Sequence, residues 1–324
     1  QIAEKFVHES VIDTYVDERV TQDIGDAIES LEYEINTLYT SNGQTPFVTL
    51  GFGLGTDRYS RKIQEAILST RIKGLGKDRI TAIFPKLVFS IKRGVNLNES
   101  DPNYDIKQLA LECSTKRMYP DILNYDKTVE LLGDFKAPMG CRSFLPAWKD
   151  KDGHYENNGR CNLGVVTLNV PRIALESKGD MEAFWKIFHQ RMAIMHDALV
   201  YRIERIAQAT PENAPILYQN GAFKHRLKET DDIMTLFKGQ RATLSIGYIG
   251  LYEAATVFYG PHWERLSKAK AFTLDILKSM KAYQLKWTEQ YDIWFSIYST
   301  PSESLTDRFC RLDREQFGEI ADIT

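Results

Sequence analysis

The sequence predicts an α/β protein built on a largely parallel sheet or barrel. Short apolar, β-branched runs alternate along the chain with long stretches whose apolar residues recur every three to four positions, the pattern of strands covered by helices. With 324 residues, 43% hydrophobic and 26% charged, the chain can bury one large core or two. No internal repeat, low-complexity tract or Pro/Gly/Ser linker interrupts it, so residues 1–324 read as one domain, with residues 1–45 a helical N-terminal portion.

Ile24, Ala27, Ile28, Leu31, Ile35 and Leu38 share one face of an amphipathic helix that Asn42-Gly43 ends. Thr45 to Leu50 is extended and β-branched. Gly51, Gly53 and Gly55 follow as a loop needing unusual φ; their spacing is neither Gly-x-Gly-x-x-Gly nor a P-loop, which argues against a phosphate cradle. Residues 59–73 read as helix. Ile83 to Lys92 is almost continuously apolar, as a strand covered on both faces would be, and Leu163 to Leu168 is a second such strand. From Asp180 to Ile206 a long helix carries Phe184, Ile187, Phe188, Met192, Met195, Leu199 and Ile203, a stripe that reads as core. Pro215–Tyr218, Ala242–Tyr248 and Ile293–Tyr298 read as strands, with helices near 251–259 and 264–289.

Composition removes several classes of function. A formal charge of −3 with dispersed Lys and Arg leaves no footprint for nucleic acid. No apolar run approaches the roughly 20 residues of a membrane helix, and the start lacks signal-peptide character, so no membrane is expected and the cytoplasm is the expected compartment. Cys113, Cys141, Cys161 and Cys310 are too few and too scattered for a disulfide framework, and no Cys-x-x-Cys or His/Cys cluster suggests a metal. His189 and His196, two turns apart on the long helix, read as core-edge residues. Cys113 and Cys310 read as core thiols, and Cys161 has no assigned role.

Three segments have the character of working loops. Pro138-Met139-Gly140 interrupts helix and strand alike and delivers Cys141 on a loop that Phe144, Leu145 and Trp148 make too apolar for water. A thiol so placed is a candidate for chemistry, though an inert buried cysteine is the commoner case. Gly159 to Leu163 is a polar turn leading into a strand. Ser299 to Ser304 leaves a strand and opens a helix, where free backbone N–H groups and the positive dipole end suit a phosphate; a simple cap over Ser304-Leu-Thr-Asp307 explains it equally well.

Together these segments resemble the catalytic subunit of the anaerobic, class III, glycyl-radical ribonucleotide reductases. The resemblance rests on Thr45 to Thr56, Phe84-Pro85-Lys86-Leu87, Pro138 to Leu145, Asn162 to Asn169 and Tyr298-Ser299-Thr300-Pro301-Ser302-Glu303-Ser304, and it extends over essentially the whole chain. It implies part of a ten-stranded α/β barrel around a finger loop, with Cys141 as the thiyl radical. It also implies reduction of ribonucleoside triphosphates to 2′-deoxyribonucleoside triphosphates with formate as co-substrate. Ser143 and Asn162 match residues on the formate side of the site. Thr300, Ser302, Glu303 and Ser304 match the substrate phosphate loop. The implied partners are ribonucleoside triphosphate substrate, dNTP and ATP effectors, a radical-SAM activating enzyme and a second copy in a homodimer.

Departures qualify the expectation. The family's Arg-x-Cys-Gly-Tyr glycyl-radical motif, its four-cysteine zinc site, its N-terminal ATP-cone and an upstream cysteine that works with the thiyl residue have no match here, so the chain reads as an internal piece of a longer enzyme, with no cofactor of its own. Arg241 to Tyr248 only superficially imitates the radical motif, and Gly247 is not the radical glycine. A lyase of the pyruvate formate-lyase type would carry adjacent cysteines where Cys141-Arg142 stands. An inactive segment that binds nucleotide or self-associates is the other alternative.

Overall fold

The computed structural model describes residues 11–39, 46–136, 138, 145–301 and 304–324. Its contacts cluster into two compact units, Gln1–Phe144 and Leu145–Thr324, each holding a three-stranded, fully parallel sheet.

The first unit begins with α1 (Ile12–Thr37), which starts twelve residues earlier than its apolar stripe predicts and buries Glu32 and Ile35. The sheet order is β1 (Thr49–Phe52), β2 (Lys86–Ile91), β3 (Asp121–Asn124), with α2 (Arg58–Lys73), α3 (Tyr104–Arg117) and α4 (Tyr125–Leu132) alongside. Asp57 caps α2 by accepting from the N–H groups of Tyr59 and Ser60 at 3.1 and 3.0 Å. The central strand β2 buries Leu87, Val88, Phe89 and Ser90, as its unbroken apolar run predicts. It is shorter than Ile83–Lys92 because Pro85 has no N–H to give and Asn36 of α1 accepts from the N–H groups of Ile83 and Phe84 instead. Arg71 and Glu32 form a buried ion pair at 2.8 Å, and Arg71 also donates to the Pro85 carbonyl at 2.8 Å.

The glycine loop after β1 behaves as a close-approach device. Gly53 has φ +118°, and a Cβ there would lie 2.7 Å from the Ser90 carbonyl oxygen; one on Gly55 would lie 2.5 Å from the Ser60 Cβ. The loop lines a largely apolar cavity of about 320 Å³ with Gln64 and Phe135.

The second unit orders its sheet β4 (Asn162–Asn169), β5 (Thr243–Ile249), β6 (Trp294–Ser299). Its helices are α5 (Val170–Glu176), α6 (Met181–Ala207), α7 (Pro215–Tyr218), α8 (Leu251–Tyr259), α9 (Ser267–Tyr291) and α10 (Ser304–Phe317). Asp180 caps α6 through the N–H groups of Glu182 and Ala183. Phe184, Phe188, Met192, Met195 and Leu199 of α6 are buried against Leu244, Ile246 and Phe295 of the sheet and Phe272 and Ile276 of α9 in one cluster. His189 and His196 sit at its edge, hydrogen-bonded to Tyr283 and Tyr291 at 2.9 Å each.

Pro215–Tyr218 corrects the sequence reading: it is a helical turn, not a strand. Proline fixes φ at a helical value and cannot donate to a ladder, which suits the first position of a helix. Ile216 is 71% exposed, and the Gln219 N–H closes the turn on the Pro215 carbonyl. Among the described residues no helix is long and apolar enough to cross a membrane.

Candidate functional site

The second sheet has two unlike faces. Side chains alternate along a strand. Leu244, Ile246, Phe295, Ile297, Val166 and Leu168 point into the helix-covered core. The other face carries Thr243, Ser245 and Gly247 on β5, Ser296 and Tyr298 on β6, and Thr167 on β4. Small hydroxyl side chains dominate it, with Val165 in register beside Ser245 and the larger Trp294 and Tyr298 along β6.

Asn162 joins that face through an irregularity. Strand parity alone would set residue 162 opposite 165 and 167, but the pairing slips between Asn162↔Thr243 and Val165↔Ser245, inserting one residue into β4. Gly164, at φ +148°, absorbs the slip, and the Arg202 side chain lies where its Cβ would be. The Asn162 amide is then held at both ends: Oδ1 accepts from the Gly164 N–H at 2.8 Å, and Nδ2 donates to Ser245 Oγ at 2.6 Å. Ser245 continues to Ser296 Oγ at 3.3 Å. One amide hydrogen of Asn162 stays available for a carboxylate or ribose oxygen. Asn162 starts β4, so it stands at the amino end of the sheet, not at the carboxyl end where catalytic loops of α/β folds usually gather.

Thr300 is at the carboxyl end. Its N–H donates to the Tyr248 carbonyl at 3.1 Å and its hydroxyl meets that of Thr167 at 3.0 Å. From Ser245, which holds Asn162, to Gly247, beneath the threonine pair, is two strand residues, about 7 Å along the sheet. Ser304 is the exposed first residue of α10. That helix is tied back by Asp313, buried, which accepts from Arg172 Nε at 2.5 Å and Asn169 Nδ2 at 2.9 Å. Cys141, Ser143, Ser302 and Glu303 lie outside the described residues.

Cys113 is placed as expected, and Cys161, which had no assigned role, now has a location. Cys113 is fully buried in the core of the first unit. Cys161, half-buried against the second core, has its thiol pushed up to about 11 by burial, with Arg241 and Arg160 pulling the other way. Cys310 corrects the reading of a core thiol: it is half-buried on the wall of a cleft of about 340 Å³ lined also by Asn169, Ile249, Gly250 and Asp313. A cysteine on the side of α10 that faces the sheet ends lines a wall, not a packed interior.

The polar turn at 159–162 hides a second surprise. Arg160 and Arg241 are buried, 7% and 4% exposed, each about 6 Å from the Trp148 ring by the guanidinium carbon. Arg160 donates to the carbonyls of Pro146 and Arg241 at 2.5 and 3.0 Å, and Trp148 Nε1 donates to the Gly239 carbonyl at 2.7 Å. Burial, followed by the neighbouring Arg241 charge, lowers the Arg160 guanidinium to about 10. These contacts fix Pro146 and Trp148. Ser245, Ser296, Thr167 and the arginine pair escaped the sequence reading; the small-polar alternation Thr243-x-Ser245-x-Gly247 is the signal that marks the face.

A family model described as anaerobic ribonucleoside-triphosphate reductase matches residues 2–324. The chain is 52% identical over 311 residues to the anaerobic ribonucleoside-triphosphate reductase of Escherichia coli K12, covering 96% of this chain and 44% of the relative. It is 50% identical over 316 residues to that of enterobacteria phage T4, covering 96% and 51%. The chain therefore spans about half the length of these relatives. The crystal structure of the anaerobic ribonucleotide reductase from Thermotoga maritima with citrate in the active site shares the fold at TM-score 0.62 and 20% identity, covering 98% of this chain and 55% of that one. The same enzyme in complex with dATP and CTP matches at TM-score 0.59 and 19% identity, covering 98% and 51%.

Proposed function

Because the chain belongs to the anaerobic ribonucleoside-triphosphate reductase family, we propose that it forms the substrate-reducing part of an enzyme that converts ribonucleoside triphosphates to 2′-deoxyribonucleoside triphosphates. The observation that carries this reading is the polar face of the second sheet, with a two-point-anchored amide toward its amino end and a hydroxyl pair at its carboxyl end.

In the proposed reaction Cys141, as a thiyl radical, removes the 3′ hydrogen of the ribose. Loss of the 2′ hydroxyl as water then becomes feasible, whereas hydroxide is a poor leaving group from an unactivated sugar. Formate supplies two electrons and leaves as carbon dioxide, so that nucleotide, formate and one proton give deoxynucleotide, carbon dioxide and water. Asn162 and Ser143 hold formate or a ribose oxygen by hydrogen bonds; Thr300, Ser302 and Ser304 receive the phosphates, with Glu303 on the same loop. The proposal extends to dNTP and ATP effectors, a radical-SAM activating enzyme and a homodimer. The glycyl radical and the zinc site of the reaction have no counterpart within these 324 residues.

Replacing Cys141 by Ala in the full-length protein that carries this chain tests the assignment. Deoxynucleotide formation is expected to vanish while triphosphate binding persists; retained turnover would sink the thiyl role.

A further inference from the structure

At the carboxyl end of the second sheet two threonines meet across the strand that separates them. Neighbouring strands are about 4.8 Å apart, so Thr167 on β4 and Thr300 after β6 stand about two spacings from one another at the backbone. Their hydroxyls nevertheless lie 3.0 Å apart. They can do so because the residue of β5 in register with Thr167 is Gly247.

A Cβ on Gly247 would fall 2.5 Å from Thr167 Oγ1, 2.7 Å from Thr300 Oγ1 and 3.1 Å from Thr167 Cα. The first two approaches are far inside van der Waals contact. Gly247 is not among the glycines with positive φ, so backbone conformation does not require glycine there. What it contributes is the missing side chain. Thr300 is thereby held to two strands, by its N–H on the Tyr248 carbonyl of β5 and by its hydroxyl on Thr167 of β4. Between the two hydroxyls one hydrogen is used in their mutual bond and one remains to donate to an anionic oxygen.

We propose that Thr167 is a positioning residue for the nucleotide's phosphates, acting through Thr300, and that Gly247 is the gap that lets it act. This rests on the reading of Thr300 as the start of the substrate phosphate loop. A bond that merely braced the sheet would serve the same geometry, and the two roles differ in which ligand senses the loss. If Thr167 orients a phosphate-facing hydroxyl, its removal weakens a triphosphate and spares the nucleoside. If it only braces the fold, both weaken alike.

The test is calorimetric titration of the full-length protein with a ribonucleoside triphosphate and, separately, the matching nucleoside. Thr167→Val is isosteric and removes one neutral hydrogen bond, an expected loss of about fivefold in triphosphate affinity, or about 1 kcal/mol. Thr167→Ser should keep wild-type affinity, and Gly247→Ala should lose at least as much as Thr167→Val. Nucleoside affinity should stay within twofold throughout, with unfolding midpoints confirming folded protein. Equal triphosphate binding by wild type and Thr167→Val overturns the inference, as does a parallel loss for the nucleoside. Failure of the unsubstituted protein to favour triphosphate over nucleoside overturns the phosphate-loop reading itself, and the inference with it.

Discussion

Replacing Ser245 by Ala removes the acceptor that fixes the Asn162 side-chain amide. The amide has two anchors, Gly164 N–H on Oδ1 at 2.8 Å and Ser245 on Nδ2 at 2.6 Å, so the substitution takes one and leaves the other. A net neutral hydrogen bond is worth about 1 kcal/mol, and in rate terms that is about fivefold at 1.36 kcal/mol per decade. Ser296 is one link further out, at 3.3 Å from Ser245, and its hydroxyl also reaches the Leu244 carbonyl at 3.4 Å, both long contacts. Ser296→Ala should therefore cost less than about twofold. Asn162→Ala removes the amide that the proposed function turns toward formate or ribose, and should cost at least tenfold, the scale of a hydrogen bond to a charged group. The assay is the initial rate of deoxynucleotide formation by the full-length protein as formate is varied, with unfolding midpoints to confirm that each variant is folded. The expected order is Asn162→Ala, then Ser245→Ala, then Ser296→Ala. A folded Ser245→Ala protein with wild-type rates, or a Ser296→Ala protein as impaired as Ser245→Ala, refutes the idea that the serine relay orients the amide.

Two further outcomes concern the Glu32–Arg71 pair and Cys161. Arg71→Met leaves Glu32 buried without its partner and should destabilise the first unit by about 3–5 kcal/mol, whereas the paired change Glu32→Leu/Arg71→Met should recover most of the loss. Burial, outweighing the opposing Arg71 charge, raises the Glu32 carboxyl above its ordinary value. The group's contribution to stability is thus fullest below the ordinary carboxylate range and falls as pH rises through the raised value. Urea unfolding at several pH values reads both effects, and an additive double variant would contradict the coupling. Cys161, with its thiol near 11, is about one part in a thousand thiolate at pH 8, against about a quarter for an ordinary cysteine near 8.5. Iodoacetamide should label it about two hundred times more slowly than a free thiol, with the rate climbing toward pH 11; labelling at the ordinary rate, read by peptide mass mapping, would show that burial does not govern this thiol.

The parts of the fold that bury large apolar side chains were readable from local pattern. Leu87, Val88 and Phe89 announce a strand covered on both faces, and the stripe from Phe184 to Leu199 announces the helix that fills the second core. Elements with little to bury gave no such signal. β3 is four mostly exposed residues, and although α3 buries Ile106, Ala110 and Cys113 at helical spacing, its exposed Leu111 blurs the stripe. Pro215–Tyr218 imitates a strand in composition, but its proline belongs to a helix start. Asn162 and Thr300 were nameable because they lie in distinctive segments. Their supports were not, because the Asn162–Ser245 and Thr167–Thr300 contacts join residues 83 and 133 positions apart. Pairing at that range depends on register, which a single strand does not encode.

The extra residue in β4 makes that strand unusually sensitive to changes in length. Before the slip, the polar face is read on one parity of residue number; after it, on the other. Deleting Gly164 would remove the extra residue, so that regular pairing keeps Asn162 opposite Thr243 on the polar face, with Thr167, Val166 and Leu168 in place, and takes away the N–H that anchors the Asn162 oxygen. The lesion would be nearly silent to folding and would leave the amide on one anchor, Ser245. Inserting one residue at 162–165 would instead require a second residue to be looped out for Asn162 to stay opposite Thr243, so lengthening the strand should harm the site more than shortening it.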